Sequence, residues 1–324
     1  MDKKNLTVSV LVPAYNAEST IKECVESVVK ISALTLDLIV TDDGSTDNTL
    51  AALNELQEKY AFRVIAQENS GQAASRNRMM AKAKGDYILF CDADDYVDAH
   101  KVEKMVEYAD ANRLELCMGT NFEVDPTTGE VRIVEKANRV EAMNAISICE
   151  GKDYLPLARR NKVYSATTPS HLWSKNFIER LGLKYLEGVR YEDVDFTFKS
   201  LLHSKRVAFL DSQHYYYVQH GNSSMRAENG HLRPADLKSH AAVVENLMSE
   251  IEKLDKSDSS LNAAFFKLVF MDYLATALST EEYIIEKDAN IRSFKTLVRK
   301  SGIAWGEKIR IWRKFGFKVY KHLT

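Results

Sequence analysis

From Thr7 to Val124 the apolar residues keep changing their period, from two residues to 3.6 and back, and few folds satisfy that alternation. "TVSVLVP" (7–13) is a short β-branched run that reads as a buried strand. In "STIKECVESVVK" Ile21, Cys24, Val25, Val28 and Val29 fall on one helical face, and Thr20 with Glu23 has the spacing of a capping box. The pattern then repeats. Strands are expected at 36–43, at 62–67, in "DYILFCDADD" and across 114–124. Helices are expected after Asp47, through "GQAASRNRMMAKAKG" to a stop at Gly85, and from about Asp98 to Asn112. Strands separated by helices of this length predict βαβ units, hence an α/β fold with a mostly parallel sheet and flanking helices. Between 125 and 230 the chain is less regular, with a helix from about Glu192, a strand through "RVAFLD" and a half-buried strand in "HYYYV". Helical patterns resume from about 231, interrupted by the linker "DKSDSS". The expected division is therefore an α/β domain over 1–230 and a C-terminal helical region over 231–324.

In such sheets ligands bind beyond the carboxyl ends of the strands, and the polar clusters lie there. Tyr15 and Asn16 follow the first strand, Asp42 and Asp43 the second, and Asp92, Asp94 and Asp95 end "YILFCDADD". Two carboxylates two residues apart at a strand end can serve a divalent ion, and hard oxygen donors suit Mg²⁺ or Mn²⁺. A lone DxD motif is also a common accident of surface loops. "TDDGSTDNT" (41–49) is partly turn chemistry, with Gly44, Ser45 and Asp47 in turn and cap positions. Turn chemistry does not require the adjacent Asp42 and Asp43, and a carboxylate there can accept from a base N–H or a ribose hydroxyl. By itself "YEDVDF" reads as a helix start whose acids face the positive end of the helix dipole. No GxGxxG follows the first strand and no GxxxxGK[ST] occurs, so a dinucleotide dehydrogenase or a P-loop protein would lack its phosphate loop.

Composition narrows the classes further. The 324 residues carry a net charge of −2, which gives no reason to expect nucleic-acid binding. Cys24, Cys91, Cys117 and Cys149 form no CxxC pair, and Cys24 and Cys91 sit in apolar patterns, as free buried thiols of a reducing cytoplasm would. The N-terminus lacks the features of a secretory signal, and no apolar run approaches the roughly 20 residues of a membrane span.

Four segments, "VSVLVPAYNAE", "DDGSTDNT", "ENSGQAASRNRMMAKAKGDYILFCDADD" and "YEDVDF", together closely resemble the family 2 glycosyltransferases, in order and in spacing, over roughly residues 6 to 225. The resemblance implies a GT-A fold, Rossmann-like with flanking helices. It also implies an inverting transferase that uses a nucleotide-diphosphate sugar, UDP favoured, and Mn²⁺ or Mg²⁺. It further implies individual roles. Pro13, Ala14 and Tyr15 would border the nucleobase, with Tyr15 stacking on it, and Asp43 would meet a pyrimidine N3–H. Arg76 would lie near base and phosphates, Asp92 at the ribose and Asp94 on the metal. Asp193 would be the general base, its pKa pushed up by Glu192 and Asp195. His220 and Ser223, in "QHGNSS", would belong to a late loop closing over the diphosphate, with His220 a further metal ligand.

The expected acceptor is a hydroxyl of a glycan or lipid-linked molecule in bacterial cell-surface polysaccharide synthesis, a cell-wall or capsule polymer. A different class is a non-catalytic nucleotide-sugar-binding subunit of a glycan assembly complex, against which Asp193 counts, since a binding module needs no base. A nucleotidyltransferase would need a Gly-rich basic N-terminal phosphate loop, which is absent. His171 and Trp173 are either acceptor-pocket or core residues. In the tail, "IAWGEKIRIWRKFGFKVYKHL" interleaves bases with Trp305, Trp312, Phe315, Phe317 and Tyr320. Residues 303–324 are thus suited either to an anionic membrane surface, making the protein cytoplasmic and peripheral on the membrane, or to packing on the domain or in a homodimer.

Overall fold

The computed structural model describes residues 6–133, 137–144, 146–161 and 163–219, with scattered helical positions between 239 and 250. The chain divides into two compact units, Met1–Gly188 with Glu192–Ser223, and Val189–Tyr191 with Ser224–Thr324. The first unit carries the sheets. Its first half runs β1 (Thr7–Ala14), α1 (Ile21–Val28), β2 (Thr35–Asp42), α2 (Thr49–Gln57), β3 (Arg63–Ala66), α3 (Gln72–Met80), β4 (Tyr87–Phe90), β5 (Tyr96–Val97) and α4 (Ala99–Ala111). It continues through β6 (Leu116–Met118), β7 (Asn121–Val124), β8 (Val131–Ile133), α5 (Ala137–Asn144), α6 (Gly151–Arg160), β9 (His171–Ser174), α7 (Lys175–Leu181), α8 (Glu192–His203), β10 (Val207–Phe209) and β11 (Tyr215–Val218).

Among the described residues seven strands form one sheet in the order β10-β6-β9-β4-β1-β2-β3. The β4-β1-β2-β3 portion is parallel throughout, and β9 enters antiparallel to both β4 and β6. β1, an interior strand, is buried on both faces, its Val8, Val10, Leu11 and Val12 interrupted only by the equally buried Ser9. In register, Pro13 lies opposite Thr41 and Ala14 opposite Asp42, so the ends of β1 and β2 emerge side by side. A smaller sheet, β5-β11-β7-β8, sits beyond the end of β4. This is the α/β arrangement of the GT-A fold.

Local details differ from the sequence reading in three places. The expected strand over 114–124 is two strands in two sheets, β6 and β7. The break falls at Gly119, where a Cβ would lie 2.3 Å from the Ser170 carbonyl oxygen, so the backbone presses against its neighbour and turns. The helix that was to stop at Gly85 ends at Met80. Gly85 instead lets the start of the next strand approach β1, since a Cβ there would sit 2.4 Å from the Ser9 nitrogen. Thr20 makes no side-chain cap; its hydroxyl turns back to the Ala17 carbonyl. Asp98 does cap α4, accepting from the Lys101 amide at 3.1 Å.

Cys24, Cys91, Cys117 and Cys149 are free, and the first three are buried. No helix among the described residues is long and apolar enough to cross a membrane.

Candidate active site

The carboxyl ends of β1, β2 and β4 meet the N-termini of α3 and α8 at one rim. Tyr15 stands just past β1 and is 51% exposed, whereas Pro13 and Ala14, its neighbours in the motif, are buried within the strand. Asn16 adopts a left-handed backbone (φ 50°), which asparagine tolerates. Its amide donates to Ser45 Oγ at 3.0 Å and its side-chain oxygen accepts from the Thr46 amide at 2.8 Å. These bonds lock the loop after β1 to the loop after β2.

Asp43 is buried and its carboxylate accepts four hydrogen bonds. They come from Gln67 Nε2 (2.6 Å), the Ser70 amide (2.9 Å), Ser70 Oγ (3.1 Å) and the Gly71 amide (2.8 Å). Burial raises its pKa, but these donors outweigh burial and hold it below the ordinary aspartate value. Ser70 and Gly71 are the last residues before α3, so Asp43 anchors the start of that helix.

Just over one turn into α3 comes Arg76, only 3% exposed. Its Nη2 donates to Asp92 Oδ1 at 2.8 Å and its Nη1 to Glu192 Oε1 at 2.9 Å. The guanidinium carbon lies 5.3 Å from the Tyr185 ring centroid and 5.9 Å from that of Phe90. Burial opposes the charge, yet Asp92, Glu192 and Asp193 keep it firmly protonated. Removing one partner from so enclosed a pair costs roughly 3–5 kcal/mol.

The three acids after "YILF" do not act as a trio. Asp94 is exposed. Asp92 is half-buried, and its Oδ1 also accepts from Gln72 Nε2 at 3.1 Å. Asp95 turns inward, bonded to the Tyr215 hydroxyl and, at 2.7 Å, to the Val218 amide. Burial, then the charges of Asp92 and Asp94, push its pKa up to about 8. It ties the end of β4 to β11 and is a structural carboxyl.

Asp193 opens α8 beside Glu192, with Asp195 two residues on. Part of its surface is open, yet dense packing raises its pKa. Glu192 adds to the rise, Arg76 and the Val194 amide pull back, and the result is about 7. Its Oδ1 accepts from Val194 N at 2.9 Å. Asp195 lies at the opposite side of the turn, paired with Lys199 at 2.8 Å.

Hydrogen bonds thus join Asp43, Arg76, Asp92 and Glu192 about the start of α3, with Asp193 next to Glu192, while Tyr15 and Asp94 stand exposed past the ends of β1 and β4. His220, Ser223 and the 303–324 tail lie outside the described residues. His171 and Trp173 are core, not acceptor pocket. Trp173 is fully buried with Nε1 on Ser200 Oγ, and His171 accepts from the Gly119 amide while burial lowers its pKa to about 4. The sequence reading missed Gln67, Tyr185 and the pairing of Glu192. A lone buried arginine signals that partners must exist, but only the fold says which.

The sequence profile described as glycosyl transferase family 2 matches residues 9–171, half of the chain, and the chain belongs to that family. It is 29% identical over 222 residues to the uncharacterized glycosyltransferase EpsJ of Bacillus subtilis (strain 168), covering 67% of this chain and 62% of that one, so it spans about three fifths of that relative. It is 26% identical over 219 residues to the poly(ribitol-phosphate) beta-glucosyltransferase of Bacillus spizizenii, covering 66% of this chain and 32% of that protein. The crystal structure of S. aureus TarS 1–349 in complex with UDP-GlcNAc superposes with a TM-score of 0.67 at 19% identity, covering 91% of this chain and 82% of that one.

Proposed function

We propose that this chain is an inverting, metal-dependent glycosyltransferase. It moves a hexose or N-acetylhexosamine from a UDP-sugar to a hydroxyl of a glycan or lipid-linked acceptor in bacterial surface-polysaccharide synthesis. One observation carries the reading. A single guanidinium joins Asp92, at the end of β4, to Glu192, the neighbour of Asp193, at 2.8 and 2.9 Å. Donor-side acid and candidate base are therefore held in one construction. The likeness to a UDP-GlcNAc complex and to a poly(ribitol-phosphate) beta-glucosyltransferase supports the choice of donor and acceptor class.

Inversion is one in-line displacement. The acceptor oxygen bonds to the anomeric carbon as the bond from that carbon to the diphosphate oxygen breaks. The acceptor's proton moves to Asp193 at Oδ2, the oxygen other than the one that accepts from the Val194 amide. A pKa of about 7 suits that role, since the group is ionised in part at neutral pH and still basic. Tyr15 offers a ring face to the base, and Asp43 fixes the loop beneath it. Among the described residues no group of three or more His, Cys, Asp or Glu could hold a metal ion. Asp94 is exposed, and a single hard carboxylate would hold an ion whose remaining ligands are diphosphate oxygens and water. Such an ion, when bound, neutralises charge growing on the departing diphosphate.

The test is UDP binding measured calorimetrically with Mn²⁺ and with chelator. Wild type should bind tightly only with the ion, and Asp94→Ala weakly in both conditions. Equal affinity of wild type and Asp94→Ala in both conditions would remove the metal assignment. A panel of UDP-sugars, scored for slow hydrolysis without acceptor, identifies the donor.

A further inference from the structure

The family resemblance puts Arg76 beside the donor, yet both of its terminal amino groups are engaged by protein carboxylates. The guanidinium sits in a box with walls from three parts of the chain. Phe90 and Asp92 come from the end of β4, Glu192 from α8, and Tyr185 from the segment before α8. Tyr185 stacks on Phe196 of α8 at 4.1 Å, and Asn77 of α3 clasps its backbone, accepting from Tyr185 N at 2.8 Å and donating to Tyr185 O at 3.0 Å. We propose that Glu192 is a positioning residue: by holding Arg76 against Asp92 it fixes the first turn of α8, and with it the Asp193 carboxylate, relative to the donor end of β4. The inference rests on Asp193 being the base.

The chemistry of the pair supports this. A planar, forked guanidinium can bridge two carboxylates, whereas a lysine ammonium is a point charge that cannot reproduce both bonds. The neighbour carrying the like charge is also the one tied down, so Glu192 sets both where Asp193 stands and how readily it ionises. The charged groups acting on Asp193 are Glu192 on its own helix, Arg76 from α3 and Asp92 from β4.

Three variants test the idea through kcat against pH and UDP affinity. Glu192→Gln keeps an oxygen for Arg76 but removes the charge. Its acid limb should shift to lower pH by about half a unit or more, with UDP affinity within about twofold of wild type. Arg76→Lys should lower kcat by about tenfold or more while UDP affinity holds, because it cannot span both acids. Asp193→Asn should bind UDP and fail to transfer. If Glu192→Gln loses activity with its acid limb unmoved, Glu192 is merely structural and the proposal fails alone. A parallel loss of UDP affinity in both Glu192→Gln and Arg76→Lys would place the pair on the donor and overturn it as well. Transfer by Asp193→Asn would bring down the base assignment first and the proposal with it.

Discussion

Asp43 and Asp193 are both aspartates on one rim, coupled through α3, and their surroundings treat negative charge in opposite ways. Around Asp43 the chain supplies two amides, a hydroxyl and a carboxamide, so the ionised form is the satisfied form. Around Asp193 burial comes first, and the chain adds two like charges, one amide and an arginine already shared between two other acids, so ionisation is resisted. Environments that push two carboxyls apart mark different tasks. Asp43 anchors the start of α3, while in the proposed reaction Asp193 would exchange a proton.

The largest expected effect tests the second half of that contrast. Asp193→Asn should lower kcat by about 10³-fold, within the usual range for a general base, and leave UDP affinity intact. In wild type, kcat should climb as pH rises through about 7 and level off above it, because the base works deprotonated. The same substitution has an opposite consequence for the fold. The folded-state pKa is raised, so the wild-type residue's contribution to stability is complete below its unfolded value, near 4, and lost as pH rises through about 7. Asp193→Asn should therefore melt above wild type at pH 8, with the gap closing toward pH 4. A variant that is inactive and also less stable at pH 8 would mean that Asp193 is a structural acid like Asp43.

Asp43→Asn should do the reverse. Its amide cannot accept all four bonds, and a stranded buried donor costs about 1–3 kcal/mol. Asp43 has its pKa lowered, so its stabilisation is present above the unfolded value and lost as pH falls through the lower folded one. Urea titration at pH 7 should show the deficit, and titration in strong acid should show it shrinking. UDP affinity should fall with it, since the Ser70–Gly71 turn that opens α3 loses its anchor. Unchanged stability at pH 7 would leave the contrast without its structural half.

The sequence carried this rim unevenly, for physical reasons. Asp43, Asp92 and Asp94 stood out as acids at strand ends, positions that hydrophobic period marks, whereas Asp193 entered only through the family resemblance, because "YEDVDF" by itself reads as a helix start. The partnership of Arg76 with Glu192 was not visible, because 116 residues separate them and nothing local constrains the pairing. Asp95 was misgrouped with Asp92 and Asp94 for the same reason. Its partner Tyr215 comes from β11, 120 residues later. Gly119 and Gly85 show the complementary limit. A glycine in a pattern signals a stop or a close approach equally, and only the neighbouring backbone of Ser170 or Ser9 decides.

Tyr15 gives the smallest effect and the sharpest separation, because it belongs to the donor side with Asp43 but shares none of its burial. Half its surface is open, so truncation removes little packing, and urea stability of Tyr15→Ala should match wild type. What is lost is a flat face for a nucleobase, a contact worth about 1–3 kcal/mol in base–aromatic stacks. UDP affinity and the donor KM should weaken by about tenfold, toward the low end of that range because the ring is bathed in water. kcat should hold, and Tyr15→Phe, which keeps the face and drops the hydroxyl, should resemble wild type. The Asn16 bonds to Ser45 and Thr46 stay in place in either variant, so the β1 and β2 loops keep their link. A fall in kcat at saturating donor, or equal loss in the phenylalanine variant, would show that Tyr15 acts through its hydroxyl or on the reacting centre. The donor side could then no longer be separated from the proton-transfer side by substitution.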